Sequence, residues 1–483
     1  MFERPLYSVG ILGPFAIAFF GACVPSLNGK EAREPNVNTP SSFGGMESAQ
    51  STSAAQQKFT EFFASNDLRA LIDTAIKNNQ ELNAQFQEIV IAKNEARAAQ
   101  AEYLPKLRAG ANAGVERASE NTAQGRTERM LGLPENLGNF TFGLSGSWEV
   151  DIWGKLRNSA KAARVRYLAT LEARHFMITQ LVAELSRSYY DLVALDSQTE
   201  ILNRNIAVQT DALEVIRLEK QAGKVTELAV RRFEAEVLKN RSRIYDLEQQ
   251  KVQAENRINF LAGRFPQPVA RNAQDFAAAL PSDIQTGLPS ELLKNRPDVR
   301  QAELELLASK LDVNTAQAAF YPSLSIDAQV GYRSFNGKHL VDTPESLLYG
   351  AAAGLSAPLL NRAGIAAQYA SANAKQMSAV IGYEKTILQA FTDVVNQLAA
   401  IQNLQKGYDL QVQQVDALAR AVEVSGVLFQ SARADYMEVL LTRRDSLDAQ
   451  MELAETKKRR FQAMVNVYQA LGGGWRAGAI ANR

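Results

Sequence analysis

The chain of 483 residues carries one structural pattern twice, and that repetition limits its fold more than any other feature. "AQAEYLPKL" (99–107) recurs as "AQAAFYPSL" (316–324), a shift of 217 positions that also sets Gly114 against Gly331. Further on, "YYDLVA" (189–194) answers "FTDVVN" (391–396), and "NFLAG" (259–263) answers "QALGG" (469–473). The features keep their order, as in a tandem duplication. A proline disfavours helical geometry in the residue before it, so Pro105 and Pro322 each end a helix. The residues after Pro322 alternate: Leu324, Ile326, Ala328, Val330 and Tyr332 on one face, Ser325, Asp327, Gln329, Gly331 and Arg333 on the other. Each half reads helix, strand, loop, strand, long helix, turn, helix.

The other strands obey the same rule. Leu107, Ala109, Ala111, Ala113 and Val115 oppose Arg108, Asn112 and Glu116; Phe140, Phe142, Leu144, Trp148 and Val150 oppose Thr141, Ser145, Ser147, Glu149 and Asp151. Over roughly 347–358, Leu347, Tyr349, Ala351, Ala353, Leu355 and Ala357 oppose Gly350, Gly354 and Ser356. Polar loops at 117–139 and 334–346 close each pair into a hairpin. Strands of about ten residues cross a bilayer at a tilt, and beyond the N-terminus no apolar run reaches the roughly 18 residues of a membrane helix. A soluble sandwich is the other setting for such strands, but four strands split by long helical stretches suit it poorly. In hydrocarbon, open sheet edges are forbidden. Closure then requires several copies: two give about eight strands, three about twelve, and only the larger leaves an open lumen. The expected assembly is a homotrimer.

The helices give an independent length argument. Gly154 to Ala222 holds no proline and would extend about 100 Å as helix. Within it Leu168, Leu171, His175, Ile178, Val182, Leu185, Tyr189 and Leu192 mark a heptad seam. "AGKVTEL" (222–228) turns the chain, and helix resumes to Leu261. That return helix is half as long, so the preceding helix, Asp67 to Tyr103, is expected to stack end to end with it. The second half repeats this with a long helix near 363–431 and shorter ones near 291–320 and 435–471. The expected fold class is mostly α with a membrane β-barrel portion. Each protomer supplies four strands and four helical columns, completing a 12-stranded β-barrel and a 12-column α-barrel in the trimer. The domain reading is a signal peptide (1–22), an extended N-terminal arm (23–60), a first repeat (61–262), a linker (263–290), a second repeat (291–473) and a tail (474–483).

A net charge of +1 gives no support to nucleic-acid binding. Two histidines and one cysteine leave little for metal or nucleophilic chemistry, so no metal, cofactor or catalytic residue is expected. "GLSGS" (143–147) lies within a strand and lacks the last glycine of a nucleophile elbow. The Gly-Lys pairs at 154, 223 and 337 lack the upstream glycine of a phosphate loop. His175 reads as a core or interhelical residue, His339 as a loop residue with no partner in sequence, and "KKRR" (457–460) as a solvated helix face. The lone cysteine, Cys23, ends "MFERPLYSVGILGPFAIAFFGAC", which resembles a bacterial lipoprotein signal whose cysteine is acylated. An ordinary secretory signal or an N-terminal anchor is the alternative. Val24 in the next position permits, by that resemblance, sorting to the outer membrane.

"GLPSELLKNRPDVRQAE" (287–303), "SWEVDIWGKLR" (147–157), the "YLP" and "FYP" joints and "LGGGW" (471–475) resemble the TolC-type outer-membrane factors, in particular their lipoprotein efflux branch. The resemblance covers about 60–475. It implies the outer-membrane channel of a tripartite efflux pump in a Gram-negative bacterium. Such a channel is a passive trimeric duct for small molecules that meets a periplasmic adaptor protein and an inner-membrane pump of RND type, within outer-membrane lipid. It also implies that the two helical turns farthest from the membrane form a tip that contacts the adaptor and constricts the channel. Gly223, Thr226, Leu228 and Arg231 match the first tip motif, and Asp435, Tyr436, Met437, Leu440 and Arg444 fall at the second. Ala229, Leu441 and Ala432 depart from the family's two aspartates and glycine. The expectation is therefore a gate of apolar Met437 and Leu441, with Arg444 paired to Asp435 or Asp445; packing of Leu441 between helices is the other reading. Type I protein secretion is the alternative channel role. A cytosolic coiled-coil scaffold would leave the signal and strands unexplained, and a secreted enzyme would lack reactive groups.

Overall fold

The computed structural model describes residues 24–27, 31–43, 53–272, 275–276, 287–358, 362–431 and 433–476. The expected signal peptide, Cys23, Ala432, linker residues 277–286 and the tail after 476 lie outside the described residues. The chain forms two compact units: Met1–Arg33, Lys93–Val165 and Leu306–Ala379 make the first; Glu34–Ala92, Arg166–Glu305 and Val380–Arg483 make the second. Among the described residues, no helix is long and apolar enough to cross a membrane.

The first unit is built on an antiparallel sheet in the order β1 (Lys106–Glu116), β2 (Leu137–Val150), β3 (Ser323–Ser334), β4 (Leu347–Ser356). The register matches apolar positions across all three ladders: Ala111 pairs with Phe142, Phe142 with Tyr332 and Tyr332 with Leu347. One face is therefore apolar up to Ser334 at the end of β3, because side chains alternate with period two. β2 and β3 join the two hairpins, which leaves β1 and β4 as edges. The first hairpin loop is not wholly irregular. It contains helix α4 (Ala123–Met130), whose N-terminus is capped by Thr122 accepting from the Gly125 N–H at 3.2 Å. In the second loop His339 does have a partner, Asp342, 2.8 Å from its Nδ1.

Both helix-to-strand joints are tied by a tryptophan from one short segment. Trp148 Nε1 donates to the Tyr103 carbonyl at 3.1 Å, and Trp153 Nε1 to the Pro322 carbonyl at 2.8 Å. Trp153 also stacks on Tyr321 at 4.7 Å. Between them Asp151 accepts from the Leu156 and Arg157 backbone N–H groups at 3.1 and 2.9 Å, starting α5 (Lys155–Gln221). Burial pushes the Asp151 carboxyl up, but these donors and the Arg157 guanidinium outweigh it and hold it below its ordinary value.

The second unit is helical. Before β1 come α1 (Phe59–Phe62), α2 (Asn66–Asn78) and α3 (Gln80–Glu102), and α2 and α3 replace the single helix expected from Asp67 to Tyr103. Asn79 makes the break, because its Oδ1 accepts from the Leu82 N–H and its Nδ2 donates to the Leu261 carbonyl, at 2.9 and 3.0 Å. Leu261 ends α6 (Glu227–Leu261). Of the heptad seam, Ile178, Val182, Leu185, Tyr189 and Leu192 are buried, whereas Leu168 is 39% exposed. The expected arm is extended only in part: residues 54–56 form a 3-10 turn, and Phe59 and Phe63 enter the core, with Phe63 against Tyr468.

In the second half come α7 (Leu292–Asn295), α8 (Pro297–Ala318), α9 (Ala363–Gln430) and α10 (Tyr436–Ala470). The motifs "NRPD" and "LGGGW" meet here. Buried Arg296 bonds Asp298 at 2.7 Å, Asp393 at 3.2 Å and the Ala470 carbonyl at 3.1 Å, while Trp475 Nε1 donates to the Asn295 carbonyl. Gly472, at φ +87, and Gly473 allow this approach, since a Cβ would meet the Asn295 carbonyl or the Tyr468 ring. His175 stacks on Trp475 at 4.5 Å. The "KKRR" run is engaged rather than solvated: Lys457 lies over Phe276, Lys458 pairs with Asp191 and Glu455, Arg459 with Glu455, and Arg460 lies over Tyr408. Phe276 and buried Val269 show the linker packing on this core, with Arg271 bonded to Asp196 and Glu255.

Candidate functional site

Two places can act on a passing solute or a partner: the polar face of the sheet and the helical turns at 222–226 and 431–435. On the sheet, positions between the apolar ones carry Arg108, Asn112, Glu116, Thr141, Ser145, Asp327, Gln329 and Arg333. Gly110 pairs with Gly143 and Gly143 with Gly331, so the middle of this face has no side chains across three strands. β4 adds only Leu348, Gly350, Ala352, Gly354 and Ser356 there. An apolar face beside a polar, small-residue face is the division that hydrocarbon and a water-filled lumen require.

The first turn closes as a glycine cap. Gly223 has φ +74, its N–H reaches the Lys220 carbonyl, and the Lys224 N–H reaches the Glu219 carbonyl. Thr226 and Asp435 start α6 and α10 with no side-chain bond at either cap. The two turns share one apolar cluster: Leu213, Ile216, Ala229, Val230, Phe233 and Val237, joined by Phe429, Tyr436 and Leu440. Ala229 is fully buried in it, which explains why this position carries no carboxylate: an unpaired charge there would be strongly disfavoured. Leu228 and Leu441 point outward at 54% and 40% exposure. Met437 is half-buried, its Sδ 2.7 Å from Arg232 Nη1.

Charged groups around the first turn form a chain. Arg217 bonds Glu214 at 2.7 Å and lies 3.7 Å from Glu234; Arg231 bonds Glu234 at 3.0 Å and Glu227 at 2.8 Å; Glu227 also pairs with Lys220. The Lys220 hydrogen bond, with Arg231 adding to it, holds the Glu227 carboxyl below its ordinary value. Arg231 is thus engaged within its own hairpin. At the second turn Arg444 pairs with Asp445 at 3.2 Å, one of its two expected partners. Sequence reasoning passed over its neighbour Arg443, which reaches from α10 to the Val208 carbonyl at 3.3 Å and whose burial lowers its pKa. The Glu227, Arg231, Glu234 spacing of four and three was a legible signal of the ion-pair chain; Arg443 carried none.

A sheet with one apolar and one polar face, two unpaired edges and long helices defines a channel-forming protein of the outer-membrane type. The family model for outer membrane efflux proteins matches residues 71–264 and 288–473, and the chain belongs to that family. It is an outer-membrane channel of a tripartite efflux system, a class of channels rather than enzymes. It is 29% identical over 444 residues to the pyoverdine export outer membrane protein OpmQ of Pseudomonas aeruginosa, covering 92% of this chain and 93% of that protein. It is 25% identical over 418 residues to the probable outer membrane lipoprotein SilC of Salmonella typhimurium, covering 86% and 87%. A solved membrane protein from Pseudomonas aeruginosa superimposes with a TM-score of 0.83 at 25% identity, covering 93% of this chain and all of that one.

Proposed function

We propose that three copies join β1 to β4 around a ring, with the apolar face in lipid and the polar face lining a passive conduit for small molecules delivered by an inner-membrane pump of RND type. The observation that carries this is the register: three ladders keep one side apolar and the charged and amide side chains on the other while both edges stay open, and lipid tolerates no open edge. Adaptor contact falls to the turns, with Gly223, Thr226, Leu228, Arg231, Asp435 and Tyr436 as the contact set and Met437, Leu441 and Arg444 at the aperture. A purified, lipid-embedded preparation should run as a heat-modifiable trimer and conduct in planar bilayers. A monomer in lipid would overturn the reading. Photo-crosslinkers at Thr226 and Asp435 in cells should capture a periplasmic adaptor.

The arm supports a lipid anchor at Cys23. The Ala32 N–H donates to Asn373 Oδ1 at 3.2 Å, the Asn36 N–H to Glu384 Oε1 at 2.7 Å, and Phe43 stacks on Phe391 at 5.5 Å, so the arm climbs α9 toward β4. Asn373 lies about 15 Å along the helix from its start, and the residues from Cys23 to Ala32 can span about 30 Å. Cys23→Ser should abolish palmitate incorporation; unchanged labelling would refute the anchor.

A further inference from the structure

We infer that β4 of one copy pairs with β1 of the next in a single register, with Ala353 opposite Ala113, an inference that rests on the proposal that the copies close a ring. The internal duplication supplies the register. Lys106 and Ser323 hold the same place in their repeats, and they pair with Ser147 of β2 and Ser356 of β4. Ser147 and Ser356 are thus equivalent. Ser147 continues the sheet by pairing with Asp327 of β3, whose equivalent in β1 is Gly110. The seam between copies repeats the seam between repeats, so Ser356 faces Gly110 of the neighbouring copy. The antiparallel ladder then runs through Ala353 and Ala113 to Gly350 opposite Glu116.

Two features not used in that derivation agree with it. Leu355, Ala353 and Ala351 face Ala111, Ala113 and Val115, apolar against apolar, whereas a slip of one residue would set them against the polar face. A slip of two keeps the faces but brings Gly354 opposite Gly110 or Gly114. In the inferred register each long polar side chain of this part of β1 meets a glycine, Asn112 at Gly354 and Glu116 at Gly350. Those glycines are already overhung from β3: a Cβ on Gly354 would lie 3.4 Å from Ser325 Oγ, and one on Gly350 3.7 Å from Gln329 Nε2. Glu116 of the neighbouring copy therefore meets the Gln329 amide above Gly350, a carboxylate against an N–H donor. Gly114 falls opposite Ala352, a small pair at the place where Gly143 faces Gly331 within the chain.

The test is disulfide trapping in the full-length channel in outer membranes. β1 and β4 are opposite edges of one sheet, so a disulfide between them needs two copies. Directly opposite residues stand about 5 Å apart and diagonal ones about 7–8 Å, and a disulfide closes only over the shorter span. Ala353→Cys with Ala113→Cys should give covalent trimers on oxidation, roughly tenfold faster than Ala353→Cys with Ala111→Cys or with Val115→Cys. Ala353→Cys alone, which keeps Cys23, reports the background. Faster trapping by a shifted pair, or no trapping in an assembled trimer, overturns the register and leaves the ring. A protein that stays monomeric in lipid overturns the ring beneath it. Glu116→Ala should lower the temperature at which the trimer separates, with Gln329→Ala adding nothing further; additive losses would remove that contact.

Discussion

Gly143 of β2 and Gly331 of β3 stand directly opposite each other, so closely that a Cβ on Gly143 would lie 2.6 Å from the Gly331 Cα, and one on Gly331 2.7 Å from the Gly143 Cα. The strands from the two repeats are pinched together here, and only glycine permits it. Gly110, in the same row, has open space around its missing Cβ. Gly143→Ala and Gly331→Ala should each destabilise the assembly by about 1–3 kcal/mol, while Gly110→Ala stays near neutral. The denaturant midpoint of the detergent-solubilised protein measures all three.

The two indole bonds at the joints offer a cleaner subtraction. Trp148→Phe and Trp153→Phe keep an aromatic ring and delete the bond to the Tyr103 or Pro322 carbonyl. Each should cost about 1 kcal/mol, read as earlier loss of the oligomer on heating. No change in either variant would show that the bonds contribute nothing.

Arg108 pairs across β1 and β2 with Ser145, and no carboxylate faces it in that ladder. On the polar face it should bias the lumen toward anions. Arg108→Glu should move the reversal potential under a salt gradient toward cation preference, more at about 0.1 M than at 1 M salt, where charge is screened. An unmoved reversal potential would place Arg108 away from the ion path.

Acid should loosen the first turn. The Glu227 carboxyl has a lowered pKa in the folded protein, owed first to Lys220, so its pairing is complete above the ordinary glutamate range near pH 4.3 and fades as pH falls through the lowered value. A spin label at Ala222→Cys, which leaves the Gly223 cap intact, should gain mobility across that acid window. The gain should be absent in the Glu227→Gln background, already loosened at neutral pH.

Ala229 and Leu441 should respond in opposite ways. Ala229→Asp buries a carboxylate in the shared cluster and should destabilise the turns by about 3 kcal/mol or more, seen as proteolytic nicking near 222–226. Leu441→Ala removes an exposed side chain and should leave stability within about 0.5 kcal/mol while raising the closed-state current. An unchanged current would remove Leu441 from the aperture.

The strands were legible in the sequence because alternation is a local signal, and proline marks where each begins. The break at Asn79 was not, since it depends on the Leu261 carbonyl arriving from a distant part of the chain. The same holds for "KKRR", whose partners Asp191, Phe276 and Tyr408 lie on other segments. At the turns, the family pattern located the residues, but only packing shows Ala229 sealed inside and Arg231 engaged by neighbouring glutamates.

The open margins of β1 and β4 bear on biogenesis. A newly exported single copy carries two rows of unsatisfied amides that any extended peptide could zip onto, its own siblings in the wrong register included. Correct closure is then a race whose rate climbs steeply with copy number, so scarce expression should leave stray, protease-sensitive chains before it leaves fewer finished rings.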